Sequence, residues 1–192
     1  LGAPLDTTAQ QVGKIANQFG LLVEQSGFVG DVLVTTINNS ALSMDSFGTA
    51  IQYVGPIAKN LGLNLEQTAG AMAVLADNGF TASRVGTGLR GIFTELGKTS
   101  ADVEYSLKSL AEQNISLSEA VDLVGKRNAS QLITLLKNIE AIDESTSSYY
   151  EQGKAFESAA KQADSFAGRI ELVTANFREY QKSIGDSLTN TK

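Results

Sequence analysis

Apolar residues recur at every third or fourth position in segment after segment of this 192-residue chain, and glycines stand between the segments. The first such stripe consists of Val12, Ile15, Ala16, Phe19, Leu22 and Val23. This spacing places apolar side chains on one face of an α-helix, whereas a half-buried strand needs alternation every two residues, which no segment sustains. Eighteen glycines and only two prolines suit helices that are short and separated by turns. The pattern therefore predicts an all-α fold built on a bundle of short helices.

Capping signals divide the first 143 residues into about eight helices. Residues suited to begin a helix, alone or with a capping-box partner three positions later, are Ser43, Asn64 with Gln67, Ser116 with Glu119, and Asn128 with Gln131. Helix ends are expected at Gly62, Gly79, Gly97 and Gly125, because the residue after the last turn is often left-handed. The second helix is expected from Val29 to Leu42, and the fifth should bury Leu89, Ile92 and Phe93.

Composition excludes several classes of function. The chain has no cysteine and no histidine, which removes disulfides, thiolate metal sites and the most common general base, so we expect no cofactor and no metal. Its net charge is −6 with dispersed Lys and Arg, which argues against a specific nucleic-acid surface. No apolar stretch approaches the roughly 20 residues that a membrane span requires. Because the sequence opens on Leu1, we expect it to be an internal piece of a longer protein.

The character of the sequence changes after residue 143. We expect a helical core domain over 1–143, a polar linker over 144–148, and one long amphipathic helix over 149–192. Within it, apolar residues occupy the a and d positions of about four heptads, at Phe156, Ala159, Ala163, Phe166, Ile170, Val173, Phe177, Tyr180 and Ile184, and Leu188 extends the stripe at the next e position. Such a helix either packs on its own domain or self-associates, and the unbroken period of seven favours self-association.

Three glycines, Gly86, Gly88 and Gly91, match the G-x-G-x-x-G dinucleotide pattern. That fingerprint requires a preceding strand and a helix N-terminus that receives the pyrophosphate, whereas these glycines follow a helix end and a new cap. We interpret them instead as residues that let two helices approach closely.

The charged residues suggest no catalytic pair. Glu66 and Asp77 lie on nearly one face of the fourth helix, but eleven residues place their backbones roughly 16 Å apart, too far for glycoside hydrolysis. Every Asp and Glu is expected to be solvated at the surface. The basic residues Lys98, Lys126 and Arg127 lie near helix ends, where cations interact favourably with the helix dipole.

The stretch from Met44 to Leu96 resembles the core region of phage tail tape measure proteins of the lactococcal-phage type. The family patterns Y-V-x-P-x-A-K-x-L-G-L, E-x-T-A-x-x-x-x-x-L-A-D-x-G and S-x-x-G-T-x-L-R correspond to residues 53–63, 66–79 and 83–90. Leu123 to Leu136 is similar to a second block of the family, although Val124 stands where an aromatic residue is common. The segment after Phe156 resembles the start of the family's long helical continuation.

This resemblance implies a structural protein of the virion, made in the host bacterial cytoplasm, that occupies the tail lumen, sets tail length and leaves before DNA ejection. Its partners would be further copies of itself, as a trimer or hexamer, and the tail tube and tail-tip proteins. The glycosidase or peptidase modules that some members carry are not visible, so no enzymatic activity is expected. The alternative is a helical adaptor or binding module of a prophage or a contractile injection particle.

Overall fold

The computed structural model describes residues 5–22, 25–147 and 149, and the side chains from residue 10 onward. Its helices are α1 (Leu5–Phe19), α2 (Ser26–Asn38), α3 (Met44–Asn60), α4 (Leu65–Asp77), α5 (Ala82–Thr99), α6 (Val103–Glu112), α7 (Leu117–Val124) and α8 (Ala129–Lys137). Residues 139–147 are also helical and are called α9. No strand occurs among the described residues, which confirms the all-α class. The long heptad helix, with the ten residues of its stripe from Phe156 to Leu188, lies outside the described residues.

Helix α4 is the centre of the bundle and is buried on nearly every side. It contacts α2, α3, α5 and α8, while α1 packs on α2 and α3 at the outside. Its sequence suits this position, because alanine and glycine let neighbouring helices approach and a helix that is apolar all round must be buried. The most extensive contact between two helices joins α3 and α5. Leu89, Ile92 and Phe93 of α5 are buried, as the sequence predicted.

Local capping explains where several helices begin. The side chain of Ser43 accepts a hydrogen bond from Ser46 N and begins α3, and Asn64 and Ser116 form capping boxes with Gln67 and Glu119. Glycines with positive φ follow α3, α4 and α7, at Gly62 (78°), Gly79 (83°) and Gly125 (78°). These predicted beginnings and ends are confirmed.

Two helix ends and one cap differ from the prediction, each because of a contact with another helix. Helix α2 ends at Asn38, before the expected Leu42, and the backbone N–H of Ala41 instead donates to Asp77 of α4 at 2.6 Å. Gly97 lies inside α5, which continues to Thr99, and a Cβ atom there would be 2.5 Å from a methyl of Leu61. Asn128 precedes α8 without any side-chain capping bond.

The polar stretch expected as a linker is helical over residues 144–147. Its hydroxyl groups bond within the helix, since Thr146 donates to Ile142 O at 2.8 Å and Ser147 donates to Asp143 O at 3.0 Å. Beyond it, the buried side chain of Tyr149 lies 3.0 Å from the hydroxyl of Thr36 in α2, to which it is hydrogen-bonded. A stretch without apolar periodicity thus forms helix, while the domain limits at 143 and 149 stay a prediction.

Candidate functional site

The three glycines singled out in the sequence lie inside α5, and each faces a different part of the fold. A Cβ atom on Gly86 would lie 2.9 Å from the Cα of Ala50 in α3 and would meet the Ala50 carbonyl oxygen more closely still. No side chain intervenes there, so the backbones of α3 and α5 are in direct contact. A Cβ at this position would force the two helices apart.

Gly88 lies beneath a side-chain amide. The side chain of Gln131 in α8 is 1 % exposed, and its Nε2 donates a 2.6 Å hydrogen bond to the carbonyl oxygen of Arg84. Arg84 precedes Gly88 by four residues, so its carbonyl is the one that faces the N–H of Gly88 along the helix. A Cβ on Gly88 would lie 2.5 Å from Gln131 Oε1. The missing side chain therefore gives the amide access to the α5 backbone.

The same arrangement recurs between α1 and α3. Gln18 of α1 lies over Gly55 of α3, and its Nε2 donates a 3.2 Å hydrogen bond to the carbonyl oxygen of Ile51. Ile51 again precedes the glycine by four residues. From the sequence, Gln18 had no predicted role and Gln131 was assigned to a capping box with Asn128, whereas its amide bonds to α5 instead. The sequence feature that could have indicated their role is a polar residue next to the apolar face of a helix, as Gln131 is next to Leu132 and Leu135.

Gly91 contacts the turn between α7 and α8. A Cβ atom there would lie 3.1 Å from Cγ of Asn128. Asn128 Nδ2 donates to Val124 O at 3.2 Å, which explains why this side chain does not cap α8 as predicted. All three glycines lie in the interior of a helix, whose N–H groups bond to carbonyls of the preceding turn and do not point at a phosphate.

The acidic residues of the bundle are not all at the surface. Glu66 is 4 % exposed, contrary to the expectation that every carboxylate is solvated. It lies near the pair formed by Thr36 and Tyr149, whose phenol has a pKa raised above its ordinary value mainly by burial. The hydrogen bond from Thr36 opposes that rise, and the negative charges of Glu66 and Asp77 add to it. The hydrogen bond to Thr36 ties residue 149 to α2.

An ion-pair cluster holds α9 against α6. Lys108 bridges Glu104 at 2.7 Å and Asp143 at 3.1 Å, and its pKa is raised chiefly by the hydrogen bond to Glu104. All three side chains are about half exposed, so the pairs help to position α9 more than they add stability. In the described part of the chain, no three His, Cys, Asp or Glu residues are grouped to hold a metal ion. No helix in that part is both long and apolar enough to cross a bilayer.

Comparison with known proteins identifies the family of this chain. The model of the phage-related minor tail protein family matches residues 1–163. The chain is 27 % identical to the tape measure protein of Pneumococcus phage Dp-1 over 205 residues, covering 92 % of this chain and 18 % of that protein. It is 32 % identical to the probable tape measure protein of Escherichia phage P2 over 123 residues, covering 64 % and 14 % of the two chains.

A further relative is the probable tape measure protein of Clostridium phage phiCD119, 25 % identical over 154 residues, which covers 71 % of this chain and 16 % of that protein. The chain thus spans less than a fifth of the length of these relatives. No solved structure gives a significant match. Since the family model matches most of its length, the chain belongs to the phage-related minor tail protein family.

Proposed function

We propose that this chain is part of a tape measure protein, a structural component of a phage tail that sets tail length and occupies the tail lumen before DNA ejection. The observation that carries the proposal is the family match over residues 1–163, supported by relatives from three phages that are named tape measure or probable tape measure proteins. Its partners would be the tail tube and tail-tip proteins, and it would be made in the host bacterial cytoplasm. We assign it no catalytic role.

An all-helical chain is physically suited to such a role. Each residue of an α-helix adds about 1.5 Å of length, so the number of residues in a rod converts linearly to distance. The bundle described above would be a compact node joined to such a rod.

The test changes rod length within the complete protein in its phage. Duplicating residues 156–162, 156–169 or 156–183 adds one, two or four heptads, and the largest insertion should lengthen the tail by about 42 Å. Averaged electron micrographs of purified tails measure the length. Tails of unchanged length in all three variants would overturn the proposal, while a linear increase supports it.

We further propose that Phe156 to Leu188 forms a helix that self-associates, as a trimer or a hexamer. Its a and d positions form a single apolar stripe that one helix cannot bury against itself. The aromatic residues Phe156, Phe166 and Phe177 fit a wider core than a two-stranded coil accepts, which favours more than two strands.

Sedimentation of the full 192-residue chain tests this association. Phe177→Asp places a charge in the seam and should give a monomer, whereas Ala175→Asp, at the outward f position of the preceding heptad, should leave the oligomer intact. A wild-type chain that is monomeric at high micromolar concentration would contradict self-association in this context.

A further inference from the structure

Helices α5 and α8 concentrate positive charge in a chain whose net charge is −6. Together, α5 and residues 125–137 contain six Lys and Arg and a single acidic residue, Glu95. Glu95 is already paired with Lys98 of its own helix at 2.7 Å. The rest of the chain is therefore strongly acidic, and these two segments are exceptions to it.

The glycine contacts bring the two basic segments together. Asn128 lies over Gly91 and Gln131 lies over Gly88, so α8 runs antiparallel to α5. Arg90 adjoins Gly91 and Arg127 adjoins Asn128, and successive Cα atoms are about 3.8 Å apart. The Cα atoms of both arginines therefore lie one residue away from the same contact.

Arg90, Lys126 and Arg127, here called the basic corner, are all exposed. Within the described residues, none of the three is in an ion pair. The neighbouring α7 carries two exposed acidic residues, Glu119, which accepts a 2.7 Å hydrogen bond from Ser116 N, and Asp122, four residues before Lys126. Neither forms an ion pair with the corner among the described residues, so its three cations are unpaired there.

The backbone that carries the corner is held in place. Gly125 adopts φ 78°, and its carbonyl oxygen accepts hydrogen bonds from the N–H groups of Asn128 and Ala129, each at 3.1 Å. Interaction with the α7 dipole accounts for Lys126 and Arg127 but not for Arg90, which lies in the middle of α5. The helix dipole therefore explains why two of the three cations lie here, but not why the third does.

We propose that the basic corner is a docking surface for an acidic segment of a partner protein. Arginine suits this role, because its planar guanidinium binds a carboxylate through two parallel hydrogen bonds and retains its charge at any physiological pH. Nucleic acid fits less well. Three cations on a negatively charged protein can neutralise few of the closely spaced phosphates of a duplex. The one aromatic residue of α5 and α8, Phe93, is buried and cannot stack on the bases of a single strand.

The test is a titration of the full 192-residue chain with a fluorescein-labelled peptide of about twelve glutamates, followed by anisotropy at low salt. Arg127→Glu and Arg90→Glu should each weaken binding by about fivefold or more, because each replaces an attraction by a repulsion. The matched control is Lys14→Glu, which makes the same change in net charge on α1, away from α8, and should weaken binding less than about twofold. Thermal unfolding of each variant verifies the fold.

Two results would overturn the inference: an equal loss in the Lys14 variant, or a duplex DNA of 20 base pairs that binds more tightly than the peptide and loses affinity in Arg127→Glu. Binding that weakens in both arginine variants alone supports it. The inference rests on the proposed function and adds to it the chemical class of a binding partner, but the titration contains no phage tail. Its failure is therefore distinguishable from a failure of the tail-length experiment.

Discussion

The side-chain amide of Gln131 donates a 2.6 Å hydrogen bond to the carbonyl oxygen of Arg84, directly over Gly88. Gln18 has the same relationship to Ile51 over Gly55. In both cases a glutamine of one helix donates to a backbone carbonyl of another helix. The amide can approach because the residue four positions after that carbonyl is a glycine and has no Cβ atom. Each amide bonds to one particular carbonyl, so the bond sets how far one helix is shifted along the other. Apolar packing alone does not set this register.

Gly88→Ala should lower the free energy of unfolding by about 1–3 kcal/mol. The new Cβ would overlap the Gln131 amide, and this cost should exceed the roughly 1 kcal/mol by which alanine is favoured over glycine in a helix. Gly30→Ala is the matched control, because Gly30 lies inside α2 with no described atom within 4 Å of its Cβ position. That variant should be stabilised by about 0.5–1 kcal/mol. Urea unfolding of both variants measures the difference, and stabilisation of both would contradict the packing described.

Adding Gln131→Ala to Gly88→Ala should cost less than the sum of the two single changes, because the shortened side chain removes the overlap. The full double-mutant cycle measures the coupling energy. Strict additivity would show that Gln131 does not restrict residue 88.

Tyr149→Phe should lower stability at neutral pH by about 1 kcal/mol, since it removes the hydrogen bond between Tyr149 and Thr36. Burial raises the pKa of Tyr149 above 10.0, so its contribution is fully present below pH 10.0 and is lost as pH rises through the folded-state pKa. The stability difference between wild type and Tyr149→Phe should therefore shrink in alkaline solution. Tyr105→Phe, at a position 68 % exposed, is the control and should have no effect at either pH.

Glu119→Gln tests the capping box of α7. The backbone N–H of Ser116, and next its hydroxyl, bond to the Glu119 carboxylate and hold its pKa below the ordinary value of 4.5. The carboxylate thus stabilises the protein above pH 4.5 and loses this effect as pH falls through the lowered folded-state value. The melting temperature of Glu119→Gln should approach that of wild type on acidification. The control is Glu112→Gln, which removes a carboxylate at the end of α6 outside any capping box and should change the melting temperature little at neutral pH.

Gln11 and Gln18 predict opposite responses to the same substitution. Gln11 lies over Gly48, and its buried Oε1 has no hydrogen-bond partner among the described residues, in a cleft of about 520 Å³ between α1 and α3. Gln11→Met should be neutral or stabilising by about 1 kcal/mol, because it removes an unsatisfied acceptor. Gln18→Met should be destabilising by about 1 kcal/mol, because it breaks the bond to Ile51. Equal effects in calorimetry would show that the two glutamines are equivalent.

Some helix boundaries could be predicted from the sequence, and others could not. The helix starts at Asn64 and Ser116 were predicted because the capping partner lies three residues away in the chain, and the start at Ser43 was predicted from the serine alone. Asn128 looked the same locally but bonds to Val124 and packs on Gly91. Likewise, Gly97 looked like a helix end, yet it makes room for Leu61. The lactococcal-phage type stays a prediction, as do the heptad seam from Phe156 and its self-association.

The sequence by itself determined the all-α class, most helix limits and the family, because apolar periodicity and capping act over three or four residues and can be read along the chain. The tertiary structure decided which glycines end helices and which let helices touch. It also decided that Glu66 is buried, that the helical stretch around Ser145 and Thr146 packs on Gly70 of α4, and that Gly91 of α5 lies against Asn128. The physical reason is that each of these outcomes depends on a contact between residues 36 or more positions apart in the chain or on burial by other helices, and such contacts exist only once the helices have packed.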